Sequence, residues 1–118
     1  MNFFWVGAGG ALGALLRYGL GVLGTSVPAP WGVFVINLVG SFSLGILLGN
    51  QARYGVSPGM MYFLATGLLG AFTTFSTFSW DNWQLFEQGQ YHWLALNILG
   101  QVLLGMLGVG LGRSLVVG

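Results

Sequence analysis

The chain has 118 residues, of which 55% are hydrophobic and only 4% are charged, and its mean hydropathy is +0.81. Water-soluble domains usually carry about 25% charged residues, so this composition predicts an integral membrane protein. The net charge of +1 argues against nucleic-acid binding, which requires a basic face. Because the chain contains no cysteine, disulfides, thiolate metal sites and cysteine nucleophiles are excluded as well.

The N-terminus lacks a basic stretch before its apolar run, so we expect a first membrane helix and not a cleaved signal peptide. Residues 1–118 are predicted to form one domain with four apolar stretches. The length of each stretch is close to the ~20 residues that cross a bilayer. Their length and uniform hydrophobicity favour helices over barrel strands, and their short connections favour antiparallel neighbours. The predicted spans are Phe3–Leu23, Trp31–Leu48, Met60–Phe78 and Trp93–Leu111.

The connections between the spans carry most of the polar residues. The first span is predicted to end at Thr25–Pro30, and the second is followed by the polar loop Asn50–Pro58. Asp81 and Glu87 lie beyond the third predicted span, so we expect them to be solvated loop residues. His92 is predicted to lie at the membrane interface without a functional role.

The arginines give only a weak signal for membrane orientation. Four spans place both termini on one side with Arg53 and Arg113, whereas Arg17 lies within the first span towards the other side. Acidic residues contribute little to the positive-inside rule, so two arginines oppose one deeper arginine. Two alternatives remain open: a fixed topology with both termini inside, and insertion in both orientations.

Glycine is unusually frequent, with 22 residues. Pairs of glycines four residues apart let helix backbones approach closely, which predicts tight packing within the bundle or between subunits. A bundle of four such helices leaves little room at its centre, so an ion pathway would more naturally lie between subunits. The pairs are Gly9 with Gly13, Gly45 with Gly49, and Gly108 with Gly112.

The segment Gly67–Phe78 reads GLLGAFTTFSTF and places hydroxyl groups among phenylalanines at membrane depth. Phe75 and Phe78 share a helix face, and the positive edges of their rings suit a small anion next to the Ser76 and Thr77 hydroxyls. The plain alternative is a phenylalanine stripe that faces lipid or core. The glycines and threonines also favour a break in the third helix, whose freed carbonyls would suit Na⁺.

Other polar side chains within the spans have two readings each. Asn37, with Ser41 one turn later, joins helices by hydrogen bonds or donates to an anion. Arg17 either extends to the headgroups or attracts anions at an aqueous vestibule. Asn97 and Gln101 share a face of the fourth helix, where they either link helices by hydrogen bonds or line a polar track. No set of residues resembles a catalytic centre, so we do not expect an enzyme.

Three motifs carry a family resemblance: GGALGALLRYG in the first span, NLVGSFSLG in the second and GLLGAFTTFSTFSWD in the third. Over its whole length the chain resembles the small bacterial Fluc fluoride channels, also called the CrcB family. The resemblance implies an all-α membrane protein of four transmembrane helices, with the third helix broken near its centre, and an antiparallel dual-topology homodimer. It also implies two pores that pass fluoride passively out of the cytoplasm across the bacterial inner membrane, which reduces fluoride toxicity.

The resemblance assigns roles to individual residues. A structural Na⁺ would be held by the backbone carbonyls of Gly70 and Thr73, and Arg17 would lie in the vestibule. The chain departs from the family at Asp81, where members often have Glu, and in the fourth helix, where Ser or Tyr often lines the pore. The fluoride pathway would comprise Asn37, Phe75, Ser76, Thr77 and Phe78, with Ser41, Asn97 and Gln101 as further candidates.

The expected partners are fluoride, a second copy of the chain and membrane lipid. Two other classes stay open on the sequence. A small multidrug-type exporter is also a four-helix dual-topology dimer, but it needs a membrane-embedded carboxylate. The predicted positions of Asp81 and Glu87 outside the spans argue against that class. The third class is a packing subunit that does not transport.

Overall fold

The computed structural model describes residues 2–24 and 27–118, so Thr25 and Ser26 of the first predicted connection lie outside the described residues. Four helical stretches are long and apolar enough to cross a membrane, as the sequence predicts, and the third of them is the composite stretch Pro58–Glu87. The elements are α1 (Asn2–Leu23), α2 (Trp31–Tyr54), α3 (Pro58–Met61), a π-helical segment (Tyr62–Leu69), α4 (Gly70–Phe72), α5 (Phe75–Glu87) and α6 (Tyr91–Val117).

Local capping explains where the third stretch begins and ends. Ser57 precedes α3, and its Oγ accepts a hydrogen bond from the Met60 N–H at 3.3 Å. At the other end, Gly89 has a φ of +70°. Its N–H donates to Phe86 O at 3.1 Å, and the next N–H, of Gln90, donates to Leu85 O at 2.9 Å. This pair of bonds closes α5 and returns the chain into α6.

Three helical stretches extend beyond the predicted spans. The second continues past Leu48 to Tyr54, the third continues past Phe78 to Glu87, and the fourth runs from Tyr91 to Val117. A helix satisfies its own backbone hydrogen bonds in water and in lipid, so hydropathy marks the membrane segment and not the helix end. Arg53, in the added turn of α2, donates to Val116 O at 2.6 Å.

The main packing joins alternate spans, which run parallel to each other. Along α2 and α6, the rings of Trp31 and Trp93 are 5.6 Å apart, and further on Gly45 lies against the backbone of Val109. The expectation that consecutive spans would be the closest neighbours is therefore wrong for this pair. Short loops determine which spans are antiparallel, but the small residues determine which spans touch.

The same rule pairs α1 with α3 and the π-helical segment. Gly9 lies against the Phe63 backbone and Gly13 against the Leu68 backbone, so a side chain at either glycine would collide with a carbonyl group. The predicted role of the glycine pairs in close packing within the bundle is thus confirmed. Gly49 and Gly112 make comparable contacts between α2 and α6.

The protomer has little core of its own. Among the described residues, the buried hydrophobic side chains are Phe72 and Leu85. The described chain measures 47 × 31 × 21 Å, and its long axis is comparable to the ~40–45 Å of a bilayer with headgroups. Most large apolar side chains are exposed, as expected for a surface that faces lipid or a second subunit.

Candidate functional site

Two residues in extended conformation connect α4 to α5. Thr73 has φ −81° and ψ 159°, and Thr74 has φ −148° and ψ 126°. We call these two residues the threonine link. In a continuous helix the Thr74 N–H would bond to the Gly70 carbonyl and the Thr77 N–H to the Thr73 carbonyl. Here the Thr74 N–H donates to the Asn37 side chain, and the Thr77 N–H donates to Thr74 Oγ1.

The Asn37 side chain, from the middle of α2, bonds to both peptide groups of Thr74. Asn37 Oδ1 accepts from the Thr74 N–H at 2.9 Å, and Nδ2 donates to Thr74 O at 3.1 Å. Nδ2 also donates to Gln101 Oε1 at 2.7 Å. Both amide hydrogens of Asn37 are therefore engaged, and a side chain of another helix satisfies both the N–H and the C=O of Thr74.

The hydrogen-bonded chain continues from Gln101 through α6 to α5. Gln101 Nε2 donates to Asn97 Oδ1 at 2.9 Å, and Asn97 Nδ2 donates to Asn82 Oδ1 at 2.7 Å. Asn97 has 0% of its surface exposed. We call this chain the amide relay: Asn82, Asn97, Gln101, Asn37 and the backbone of Thr74.

An open groove of about 370 Å³ lies beside the threonine link. Phe75 and Phe78 stand on its wall with their ring centroids 5.7 Å apart and tilted by 47°. Phe75 is 78% exposed, so one of its faces is uncovered in a single protomer. We call this the link groove; its wall includes the predicted site residues Asn37, Ser41, Gly70, Thr73, Phe75, Phe78 and Gln101.

A second cavity of about 390 Å³ lies on the other side of the threonine link. It brings together Arg17 of α1 with Thr77 and Asp81 of α5, and we call it the arginine cavity. Thr74 lines both the arginine cavity and the link groove, so the two spaces meet at this residue.

Hydroxyl groups cluster where the two spaces meet. Thr74 Oγ1 lies 3.3 Å from Ser76 Oγ and 3.4 Å from Thr77 Oγ1. The Thr73 hydroxyl points elsewhere, because it donates to Leu69 O at 3.0 Å. The cluster can donate to a small anion and accept from water. In the described chain, the walls of the two spaces do not include Ser76 or Asn97.

The expectation for Asp81 is wrong. Asp81 lies within α5, is only 4% exposed and lines the arginine cavity, so it is not a solvated loop residue. Its Oδ2 is buried without a hydrogen-bond partner among the described residues. The reason is that α5 continues past the apolar stretch, so residues of low hydropathy still face the bundle. Glu87, at the end of α5, is exposed.

Two residues of the site had no role in the sequence analysis. In the sequence, Thr74 is only one of the hydroxyl residues of Gly67–Phe78. Its position three residues before Thr77 is nevertheless typical of a helix N-cap, whose side chain accepts from the N–H three residues later. Asn82 has no pattern of its own, because its partner Asn97 comes from the next span. No group of three or more His, Asp or Glu able to hold a metal ion occurs in the described part of the chain.

The motifs and the four-span fold agree with the comparisons to known proteins. A family model described as CrcB-like protein, Camphor Resistance (CrcB), matches residues 4–113. The chain belongs to the CrcB family. It is 47% identical over 114 residues to the "Fluoride-specific ion channel FluC" of Rhizobium meliloti, covering 93% of this chain and 91% of the relative. It is 38% identical over 116 residues to the "Fluoride-specific ion channel FluC 2" of Clostridium acetobutylicum, covering 96% of both.

Membership in the CrcB family decides points that composition left open. The resemblance seen in the sequence is confirmed, and the family is one of fluoride-specific ion channels and not of enzymes. With its four spans, this CrcB chain is a multi-pass protein of the bacterial inner membrane. Family membership excludes the small multidrug-type exporter. The argument that Asp81 lies outside the spans no longer contributes, because Asp81 is buried within α5.

Proposed function

We propose that the chain is a fluoride-selective channel in which the threonine link is a functional break of the third helix. The observation that carries this proposal is the placement of Phe75, Phe78 and the Thr74 hydroxyl around one groove, in a chain whose relatives are named fluoride-specific ion channels. Because these relatives are named as channels, we expect fluoride to move down its gradient. Export follows when hydrogen fluoride enters from an acidic medium and dissociates in the cytoplasm.

The chemistry of fluoride supports this reading. Fluoride is small and strongly hydrated, so a pathway must replace its water with closely spaced donors. The Thr74 hydroxyl supplies such a donor, and the hydroxyls of Ser76 and Thr77 lie 3.3 Å and 3.4 Å from it. The positive edges of Phe75 and Phe78 add a weaker attraction. The Asn37 amide becomes a donor only by exchanging one of its present bonds, while Arg17 attracts the anion into the arginine cavity.

The pathway needs a second copy of the chain. The link groove is open and Phe75 is largely exposed, so one protomer leaves the predicted pathway uncovered. The weak arginine bias supports insertion in both orientations, which would yield an antiparallel homodimer. A two-fold axis in the membrane plane then produces two equivalent pores, each with walls from both subunits.

A structural Na⁺ fits the backbone of the threonine link. The helical partners of the Gly70 and Thr73 carbonyls are diverted to Asn37 and Thr74, which leaves two neutral oxygens for a hard monovalent cation. Two oxygens are too few for one ion, but a two-fold axis would double them. The ion would supply a fixed positive charge that offsets the cost of an anion near the membrane centre.

Fluoride efflux from liposomes, measured with a fluoride electrode, tests the pathway. We expect Phe75→Ile and Phe78→Ile each to reduce efflux by about tenfold or more, because isoleucine fills the space without a positive ring edge. Phe86→Ile is the matched control: Phe86 lies on the same helix α5 but not on the wall of either space, and we expect efflux like that of the parent.

Two outcomes would count against the proposal. Unchanged efflux for both Phe75→Ile and Phe78→Ile would remove the phenylalanines from the pathway. Absence of fluoride efflux from the purified parent chain, with the protein shown to be folded and inserted, would refute the channel function and favour the packing-subunit class.

A further inference from the structure

The threonine link is held in place by one side chain. Asn37 bonds to both the N–H and the C=O of Thr74, at 2.9 Å and 3.1 Å. The interruption leaves the Thr74 N–H without its helical acceptor, and Asn37 supplies one while also donating to the Thr74 carbonyl, so the orientation of the Asn37 amide fixes the conformation of the link. The start of α5, with Phe75 and Thr77, follows directly from the link.

Gln101 in turn fixes the orientation of Asn37. One hydrogen of Asn37 Nδ2 goes to Thr74 O and the other to Gln101 Oε1, at 2.7 Å. If the Asn37 amide flipped, its Oδ1 would face the oxygens of Thr74 and Gln101, and its Nδ2 would face the Thr74 N–H. The Gln101 oxygen is an acceptor directed at Asn37, and one hydrogen of Gln101 Nε2 donates to Asn97 Oδ1, so both ends of the Gln101 amide are held in this orientation.

Asn97 and Asn82 anchor the far end of the amide relay. Each amide nitrogen donates to the oxygen of the next amide, so the relay has one direction, from Asn37 to Asn82. Asn97 is fully buried and cannot contact an ion in either space. The relay begins and ends on the third span, at Thr74 and Asn82, and passes through α2 and α6 between them.

We propose that Gln101 and Asn97 are positioning residues that orient the Asn37 amide and thereby set the geometry of the threonine link for fluoride passage. The inference rests on the proposed channel function; it replaces direct ion contact as the role of Asn97, and it gives Gln101 a positioning role at the groove wall. Removal of the Gln101 amide takes away the third hydrogen bond of Asn37, and removal of the Asn97 amide loosens Gln101, so either change weakens the hold of Asn37 on the link.

A double-mutant cycle on fluoride efflux tests this role. We expect Gln101→Met and Asn37→Ala each to lower efflux by about tenfold. The double variant should be no slower than Asn37→Ala alone, because Gln101 acts only through Asn37. If the two losses multiply, Gln101 acts independently of Asn37 and the proposal is overturned.

Hydrogen–deuterium exchange at the Thr74 N–H tests the relay without ion flux. We expect faster exchange at Thr74 in Gln101→Met and in Asn97→Leu than in the parent, with the distant parts of α2 and α6 unchanged. A purely structural role would raise exchange along both helices. Unchanged exchange at Thr74, or a rise of equal size along α2 and α6, contradicts the proposal.

A matched control and a folding check complete the design. Asn50 is also a partly buried amide on α2, but it donates to Ile46 O in its own helix at 2.9 Å, so Asn50→Leu should match the parent in both measurements. If Asn97→Leu does not fold, Gln101→Met on the groove wall carries the test. If the parent passes no fluoride, the proposed function fails, while exchange at Thr74 still decides whether the relay holds the link.

Discussion

Asp81 lies in α5 with 4% of its surface exposed, and its Oδ2 has no hydrogen-bond partner in the described part of the chain. A buried carboxylate oxygen without a partner destabilises the fold, because it loses water and gains nothing in return. Arg17 lines the same cavity, so its charge acts on the same space. At the residue scale, the unfavourable contribution to stability therefore comes from one atom, Asp81 Oδ2.

We therefore expect Asp81→Asn to stabilise the protein. Asparagine has the same size and no charge, so the substitution removes the cost of burying a carboxylate although one amide group stays unpaired, and we expect the free energy of unfolding to rise by about 1–3 kcal/mol. Thermal unfolding in detergent should show a higher midpoint for Asp81→Asn. Glu87→Gln, at the exposed end of the same helix, is the control and should leave the midpoint unchanged. A lower midpoint for Asp81→Asn would mean that its carboxylate has a partner in the assembled protein.

At the scale of elements, backbone contact at glycine determines which helices pair. Gly45 on α2 lies so close to the Val109 carbonyl of α6 that an added methyl group would collide with it. Gly110, one residue after Val109, has open space around its Cα, with nothing within 4 Å of an added Cβ. Gly45 and Gly110 lie on the paired helices α2 and α6, but only Gly45 is in close contact with the backbone of the other helix.

This difference gives a matched pair of substitutions. Gly45→Ala should destabilise the protein by about 1–3 kcal/mol, because the overpacked methyl group separates α2 from α6. Gly110→Ala should leave stability unchanged or raise it by up to ~1 kcal/mol, since alanine is the better helix former. Thermal unfolding of both variants in one detergent measures the contrast. Equal effects of the two substitutions would show that close packing at Gly45 does not hold the pair.

At the scale of the whole molecule, the protomer is incomplete. Few large side chains are buried, the link groove is open, and Phe75 is mostly exposed. The arginines give only a weak signal for one orientation of the chain in the membrane. These features together favour the antiparallel homodimer proposed above.

The absence of cysteine makes membrane orientation directly measurable. If the chain inserts in both orientations, as proposed, a single cysteine in Gly118→Cys should react with an impermeant thiol reagent in about half of the molecules in intact cells. Gln88→Cys, between α5 and α6 at the opposite end of the bundle, is the companion variant and should also react in about half. Full labelling of one variant and none of the other would establish a fixed topology.

Much of the fold and part of the candidate site can be predicted from the sequence. Hydropathy locates four spans, and the glycine pairs identify surfaces of close contact, because both are local properties of a helix. The motifs in the first three spans identify the family. They also select Asn37, Phe75 and Phe78, which the fold brings to one groove, although their part in fluoride passage stays a prediction.

The sequence by itself determined the class, the number of spans and the family, since each depends on residues close together in the chain. Only the tertiary structure decided that alternate spans pack in parallel, that Asp81 is buried, and that the relay joins Asn37, Gln101 and Asn97. The physical reason is that these depend on backbone approach and hydrogen bonds between spans. The Asn37 amide pairs with Thr74 because a helix interruption elsewhere in the chain frees the Thr74 N–H, and no local pattern around Asn37 contains that information.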